Sequence, residues 1–346
     1  MGGTHPADCA GGARALTTFA PGGAGDTMMG MRFEIPRLVL MVTVAACGSE
    51  APAIRQAGGE TGPWRPPTDA EIPLDSLGAS IRRGRALVMH TADSLPDYAP
   101  GNISCGNCHL QGGRNPDAAP MAGSHARYPK YLDRTGAVVA LADRVNYCFT
   151  RSLAGSKLPV DSREMQDILA YIAWLSRGVT LGEGDELPGA MGIPAIPAGI
   201  TGDRERGAQV YAAKCAACHQ PDGGGTPALD PPIPALWGPR SYSVGASMAR
   251  QSKAAAFIWH NMPSGMGRTL THQEAYDVAA YINTKPRPDS PGKENDWPAG
   301  GAPADVPYAT TGRSAFQPPP LLARPKPAQA LVTAPRAVRR STAPDR

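Results

Sequence analysis

Apolar residues recur at helical spacing in three stretches of the chain. LGASIRRGRALVMHT (77–91), DSREMQDILAYIAWLSRG (161–178) and LTHQEAYDVAAYIN (270–283) place them three and four apart, which predicts amphipathic helices. Asp161 with Glu164, and Thr271 with Glu274, stand at capping-box spacing, and Gly178 supplies a stop. A shorter apolar run, Leu38 to Ala46, follows Arg32 and Arg37 and ends in small residues. It is too short to span a membrane as a finished helix and has the layout of an export signal.

Between these stretches the chain is rich in Pro and Gly and lacks period. The predicted organisation is an upstream extension with an export signal (1–47), a Pro/Gly-rich tether (48–76), a first domain (77–178), a linker (179–200), a second domain (201–284) and a disordered Pro/Ala-rich tail (285–346). Met28 and Met31 are candidate true starts, because residues 1 to 30 show no periodicity. VAAC before Gly48 resembles a bacterial lipobox, which makes Cys47 a candidate lipid anchor; cleavage after Ala46 without a lipid is the alternative.

The two domains are copies. Cys105 and Cys215 lie 110 positions apart, and so do Glu164 and Glu274, Asp167 and Asp277, Tyr171 and Tyr281, and Ile172 and Ile282. Each copy has a helix entering a C-x-x-C-H motif, Cys105 to His109 and Cys215 to His219, and a last helix crossing it, which resembles the plan of the small all-α cytochrome c domain. The fold class expected is therefore mainly α, with two tandem class I cytochrome c-like domains.

Composition changes this picture little. A chain of 346 residues accommodates two ordinary domains with tails. Aromatic residues make up only 6%, so each domain needs another source of buried apolar surface. The net charge of +4 is mild and gives no case for nucleic acid.

The chemistry sits in CGNCH, Cys105 to His109, and in CAACH, Cys215 to His219. In C-x-x-C-H the two thiols add to the vinyl groups of a haem and the imidazole becomes an axial ligand. Cys105, Cys108 and His109, and Cys215, Cys218 and His219, thus predict two covalent haem c groups. A zinc site shared by the two Cys pairs is the competing reading, but zinc has no need of a His directly after each pair. Haem attachment and an oxidising compartment both point to an exported, periplasmic protein, anchored as a lipoprotein if Cys47 is acylated.

Each iron needs a second axial ligand. For the second haem the candidates are Met262, which precedes Pro263, then Met266 and Met248, with His260 and His272 behind them. Thioether ligation raises the potential, as suits the exit haem. The first domain has no methionine in the corresponding loop and offers RVNYCFTRS, with Cys148 at its centre. A buried free thiol is the alternative reading of Cys148. Arg127, Arg134, Arg144, Arg151, Ser152 and Lys157 surround it in sequence; guanidinium forks that converge there can hold an oxyanion.

CGNCHLQGG, AAPMAGSHARYP, RVNYCFTRSLAGSKLPVDSREMQDILAYIAWLS and IWHNMPSGMG resemble the thiosulfate dehydrogenases, dihaem cytochromes c that couple two thiosulfates to tetrathionate. The resemblance runs from about residue 78 to 284. It implies a first haem ligated by His109 and Cys148 as the catalytic centre, with Arg134, Arg144 and Ser152 holding substrate. It further implies a second haem ligated by His219 and Met262, and an external acceptor such as a small cytochrome c. Some members carry Lys before the ligating Met and exchange ligands on reduction; Asn261 stands there, which predicts permanent Met262 ligation. Two rivals are a dihaem electron carrier without its own substrate, and the dihaem subunit of a sulfur-oxidising multienzyme complex.

Overall fold

The computed structural model describes residues 64–311, except 183, 188–191 and 230, together with the backbone of 321–322. The export signal and Cys47 lie outside the described residues. Six helices of eleven residues or more organise the described part: α1 (Ser76–Met89), α2 (Leu141–Arg151) and α3 (Arg163–Leu175) in the first domain, and α4 (Arg204–Lys214), α5 (Gln251–Asn261) and α6 (His272–Asn283) in the second. Strands are few. β1 (Lys130–Leu132) pairs antiparallel with β2 (Ala137–Val139), and β3 (Arg287–Pro288) pairs parallel with β4 (Leu321–Leu322). No helix among the described residues is long and apolar enough to cross a membrane.

Both domains are built on one crossing. In the first, α1 packs against α3 at Gly84, where an added Cβ would stand 1.9 Å from the Asp167 carbonyl oxygen and 2.9 Å from Tyr171 Cβ. In the second, α4 meets α6 at Gly207, with the corresponding distances 2.0 Å to Asp277 O and 2.9 Å to Tyr281 Cβ. Only glycine lets the backbones approach that closely. The residue before each glycine closes the crossing with a two-pronged ion pair. Arg83 donates through Nε to Asp167 Oδ2 (2.6 Å) and through Nη2 to Oδ1 (2.8 Å), and Arg206 does the same to Asp277 (2.8 and 3.0 Å).

The glycines are 123 positions apart (207 − 84), whereas the Cys motifs and last helices are 110 apart. The first domain therefore holds 13 more residues (123 − 110) between its crossing glycine and its Cys motif. That insertion buries Leu95, Ala99 and Ile103 and reaches across to the second domain. There Asn102 N donates to Arg240 O (3.1 Å), and Asn102 Oδ1 accepts from Ala235 N (3.2 Å).

Capping follows the sequence closely in one copy and shifts in the other. Thr271 and Glu274 form the expected reciprocal box at α6. At α3 the cap is Ser162, whose Oγ accepts from Met165 N at 3.2 Å, and not Asp161. Both positions carry good capping side chains, so local pattern alone could not choose between them.

Three boundaries need correction. Residues from Trp64 onward are packed on the first domain and are no free tether: Trp64 Nε1 donates to Arg177 O (2.9 Å), and Ile72 is buried. The linker contributes to the second core through buried Ile193 and Ile196, and Pro194 O receives His260 Nε2 (3.2 Å). Most consequential is the tail. Residues 285–311 form an ordered strap in which Arg287, Asp296, Trp297, Val306 and Tyr308 are buried. Pro286 O and Pro288 O accept from Gly238 N (2.7 Å) and Val244 N (2.9 Å), while Trp297 N donates to Arg134 O (2.9 Å). Asp305 in the strap accepts from Ser252 N (2.9 Å), capping α5, whose own N-cap residue Arg250 makes no cap bond. The strap escaped the sequence reading because its buried residues are irregularly spaced along non-repetitive backbone.

Candidate functional site

Two cavities lie beside the two crossings. The first has a volume of about 130 Å³ and is lined by Cys105, Cys108 and His109, by Arg144, Cys148 and Ser152, and by Ile168 and Ile172 of α3. The second has a volume of about 370 Å³ and is lined by Cys215, Cys218, His219 and Met262, with Phe257, Leu270, Val278 and Ile282 in its apolar wall. Ile103, Cys108, Tyr242 and Met248 line both cavities, so the two spaces share one wall.

The histidines are set for ligation by their second nitrogens. His109 Nδ1 is hydrogen-bonded to Ala119 O, and His219 Nδ1 to Pro234 O at 3.3 Å. A carbonyl oxygen only accepts, so each Nδ1 carries the proton and each Nε2 keeps its lone pair. The first motif is held by Asn107 Oδ1, which accepts from Ser104 N (2.7 Å), and by Thr91 Oγ1, which accepts from Cys105 N (3.1 Å).

Cys148 differs electrically from the other thiols. Burial pushes the Cys105 and Cys108 thiols up to about 11 and about 12. Burial pushes Cys148 up as well, but the Arg144 charge, the adjacent His109 ring and the hydrogen bond from Arg144 outweigh it and bring the thiol down to about 6. Arg144 Nη1 donates to Cys148 Sγ at 2.8 Å. The cause is helical: Arg144, Cys148 and Ser152 follow at intervals of four along α2 and its C-cap, which puts them on one face.

Arg134 lies elsewhere than the resemblance implied. It does not line the cavity; its Nε donates to Asp296 Oδ2 (2.9 Å), and its Nη2 to Gly245 O (2.7 Å) and Tyr308 Oη (2.5 Å). Asp296, only 2% exposed, also receives Arg151 Nη2 and Tyr147 Oη (3.2 Å). The strap carboxylate thus neutralises Arg134 and clamps the Tyr147/Arg151 side of α2 while the Cys148 side faces the cavity. Asp296 and Tyr308 were missed by sequence reading, since nothing in local pattern links them to residues about 150 positions earlier.

The candidate ligands of the second domain separate cleanly. Met262 lines the cavity directly after α5, and Met266 is 58% exposed. His260 is engaged by Pro194 O, and His272 packs against the Trp259 ring with 4.7 Å between centroids. Met248 stands in the shared wall. No group of three or more His, Cys, Asp or Glu side chains among the described residues could hold a metal ion, so the two Cys pairs build no common zinc site.

These observations suit haem. Each cavity is apolar and is lined by a C-x-x-C-H motif together with a further sulfur-bearing side chain, Cys148 in the first and Met262 in the second. One buried guanidinium near the shared wall also has no ion-pair partner among the described residues.

The family profile described as "SoxA/TsdA, cytochrome c domain" matches residues 97–181, and "Cytochrome c" matches 204–285. The thiosulfate dehydrogenase of Allochromatium vinosum is 41% identical over 228 residues, covering 64% of this chain and 83% of that one. That of Psychrobacter arcticus is 37% identical over 242 residues, covering 69% and 73%. The solved structure of thiosulfate dehydrogenase (TsdBA) from Marichromatium purpuratum superposes with a TM-score of 0.64 at 33% identity, over 75% of this chain; this chain covers 59% of that longer protein. The fold is thus two tandem cytochrome c domains, each binding one haem c covalently through its C-x-x-C-H motif. The chain belongs to the thiosulfate dehydrogenase family.

Proposed function

We propose that the protein oxidises two thiosulfate ions to tetrathionate at the first cavity and passes the electrons through the second domain to an external carrier such as a small cytochrome c. The observation that carries this reading is Cys148 Sγ, held at 2.8 Å by Arg144 in the cavity that His109 also lines. His109 and Cys148 would hold the iron of the first haem, and His219 and Met262 that of the second. The two haems, when bound, supply two one-electron acceptors for a two-electron oxidation.

The protein's own residues do the rest. Arg144 keeps Cys148 as thiolate and attracts the dianion, which the thiolate alone would repel. The outer sulfur of one thiosulfate bonds to Cys148 Sγ with loss of two electrons, giving Cys–S–S–SO3−. A second thiosulfate attacks the outer sulfur of that adduct, releasing tetrathionate and restoring the thiolate. Ser152, at the cavity wall, is placed to hydrogen-bond a sulfonate oxygen. Asn261 stands where a lysine could replace Met262, and its Nδ2 donates to Asp117 O (2.9 Å) and Phe257 O (3.1 Å), so Met262 would hold the second haem in both redox states.

An export signal and a C-x-x-C-H pair support a periplasmic protein, with Cys47 as the proposed lipid anchor. The test of the chemistry is Cys148→Ala: haem content stays normal, and thiosulfate-dependent haem reduction disappears. Full turnover by that variant would refute the mechanism.

A further inference from the structure

Among the described residues Arg287 is the largest fully buried side chain, at 0% exposure, and it has no carboxylate partner there. Its Nη2 donates to Ile282 O (2.8 Å) and to Asn283 Oδ1 (3.3 Å), while Nε and Nη1 have no hydrogen-bond partner. The guanidinium lies 4.3 Å from the centroid of the Tyr242 ring. A cation–π contact of this kind offsets only part of the cost of an unpaired buried charge.

Its surroundings indicate where an anion would be. Tyr242 and Ile282, both touching Arg287, line the second cavity. Asn283 ties the group to the wall shared by the two cavities, since Tyr242 Oη donates to Asn283 Oδ1 (3.2 Å) and Asn283 Nδ2 to Met248 O (3.2 Å). Haem c brings two propionate carboxylates into a site that is otherwise apolar. A guanidinium with free donors is the group that pairs with a carboxylate most strongly.

We propose that Arg287 is the protein counter-ion of a propionate of the haem in the second cavity. This assigns a cofactor-binding role to the first turn of the strap, and it is independent of the thiosulfate chemistry. A buried cation beside the haem favours the reduced, less positive state, so Arg287 holds the potential of the exit haem up.

The test is a spectroelectrochemical titration of the intact dihaem protein, with the methionine-ligated haem identified by its charge-transfer band in the ferric state. In Arg287→Met the reduced-to-oxidised ratio of that haem at fixed ambient potential falls about tenfold, equivalent to a midpoint about 59 mV lower. In Arg287→Lys, which keeps the charge but loses the fork, the fall is less than threefold. A purely structural role predicts the same shift in both variants, and that result overturns the proposal. So does a shift confined to the first haem, or a parent potential that tracks chloride, which would mark a small inorganic anion. Redox infrared difference spectra with the propionates isotopically labelled provide the second measurement, usable with Arg287→Lys alone if Arg287→Met does not accumulate. The labelled carboxylate band moves if Arg287 pairs with it, and an unmoved band sinks the assignment.

Discussion

The two domains present three equivalent helical positions to their cavities and fill them with opposite chemistry. α2 and α5 coincide at the same offset of 110 positions, 141–151 against 251–261. Arg144, Cys148 and Ser152 of the first domain therefore correspond to Ala254, Ile258 and Met262 of the second, and all six line their cavities. In the second domain the sulfur comes from the residue after the helix, on extended backbone, behind two apolar side chains. In the first it comes from one turn earlier, inside the helix, where the residue four before it is a cation. That one-turn displacement lets a guanidinium share the face with the sulfur. A thioether carries no charge to stabilise, so the second domain has no use for such a cation and spends the position on packing.

The largest expected effect that sharpens this contrast comes from exchanging the sulfurs' surroundings. Arg144→Met, which gives the first domain an apolar residue like Ala254, lowers kcat/KM for thiosulfate by about 100-fold or more, by analogy with loss of a charged transition-state donor. Steady-state kinetics with an artificial oxidant measures it, and unchanged kcat/KM would break the proposed division of labour. Met262→Ala, by contrast, leaves single-turnover reduction by thiosulfate and slows multiple turnover.

Next in size is the strap. Asp296→Ala leaves Arg134 and Arg151 buried without their carboxylate and destabilises the protein by about 3 kcal/mol. Thermal unfolding checks the cost. Because Asp296 holds α2 and no part of α5, haem signals of the first domain are lost before those of the second.

Smaller and symmetric effects belong to the crossings. Burial raises both aspartates, but Arg83 and Ser80 hold Asp167 below the usual carboxylate range, and Arg206, the Asp203 N–H and Gln273 do so for Asp277. A lowered folded-state value contributes stability above the unfolded value near 3.9 and loses it as pH falls through the folded one. Asp167→Asn and Asp277→Asn each cost about 1 kcal/mol at neutral pH, the arginines being half exposed to solvent. Each also flattens the loss of stability below about pH 4, which acid titration of unfolding reads directly. Unequal acid profiles would show that the two crossings are not the same device.

Capping effects are of similar or smaller size. Ser162→Ala and Thr271→Ala each cost about 1 kcal/mol, and Asp161→Ala costs almost nothing, because Ser162 and not Asp161 caps α3. Denaturant unfolding of the three variants separates them.

What the sequence determined by itself was whatever depends on neighbours along the chain. The C-x-x-C-H motifs named the cofactor because covalent attachment is a matter of spacing over five residues. The 110-residue register, the amphipathic last helices and the Thr271/Glu274 box follow from local periodicity; RVNYCFTRS, expected as a loop, is part of α2, and only the structure puts Arg144 and Cys148 one turn apart on one helix. Tertiary structure alone decided which cation meets which anion. Arg134, near Cys148 in sequence and placed at the substrate by resemblance, belongs to Asp296, and Arg287 lies buried behind Tyr242. Asp296 and Arg287 both come from the Pro-rich strap, whose buried residues are spaced by the surface they cover. Such spacing carries no period, so burial there is set by the partner and is invisible until the chain has folded onto it.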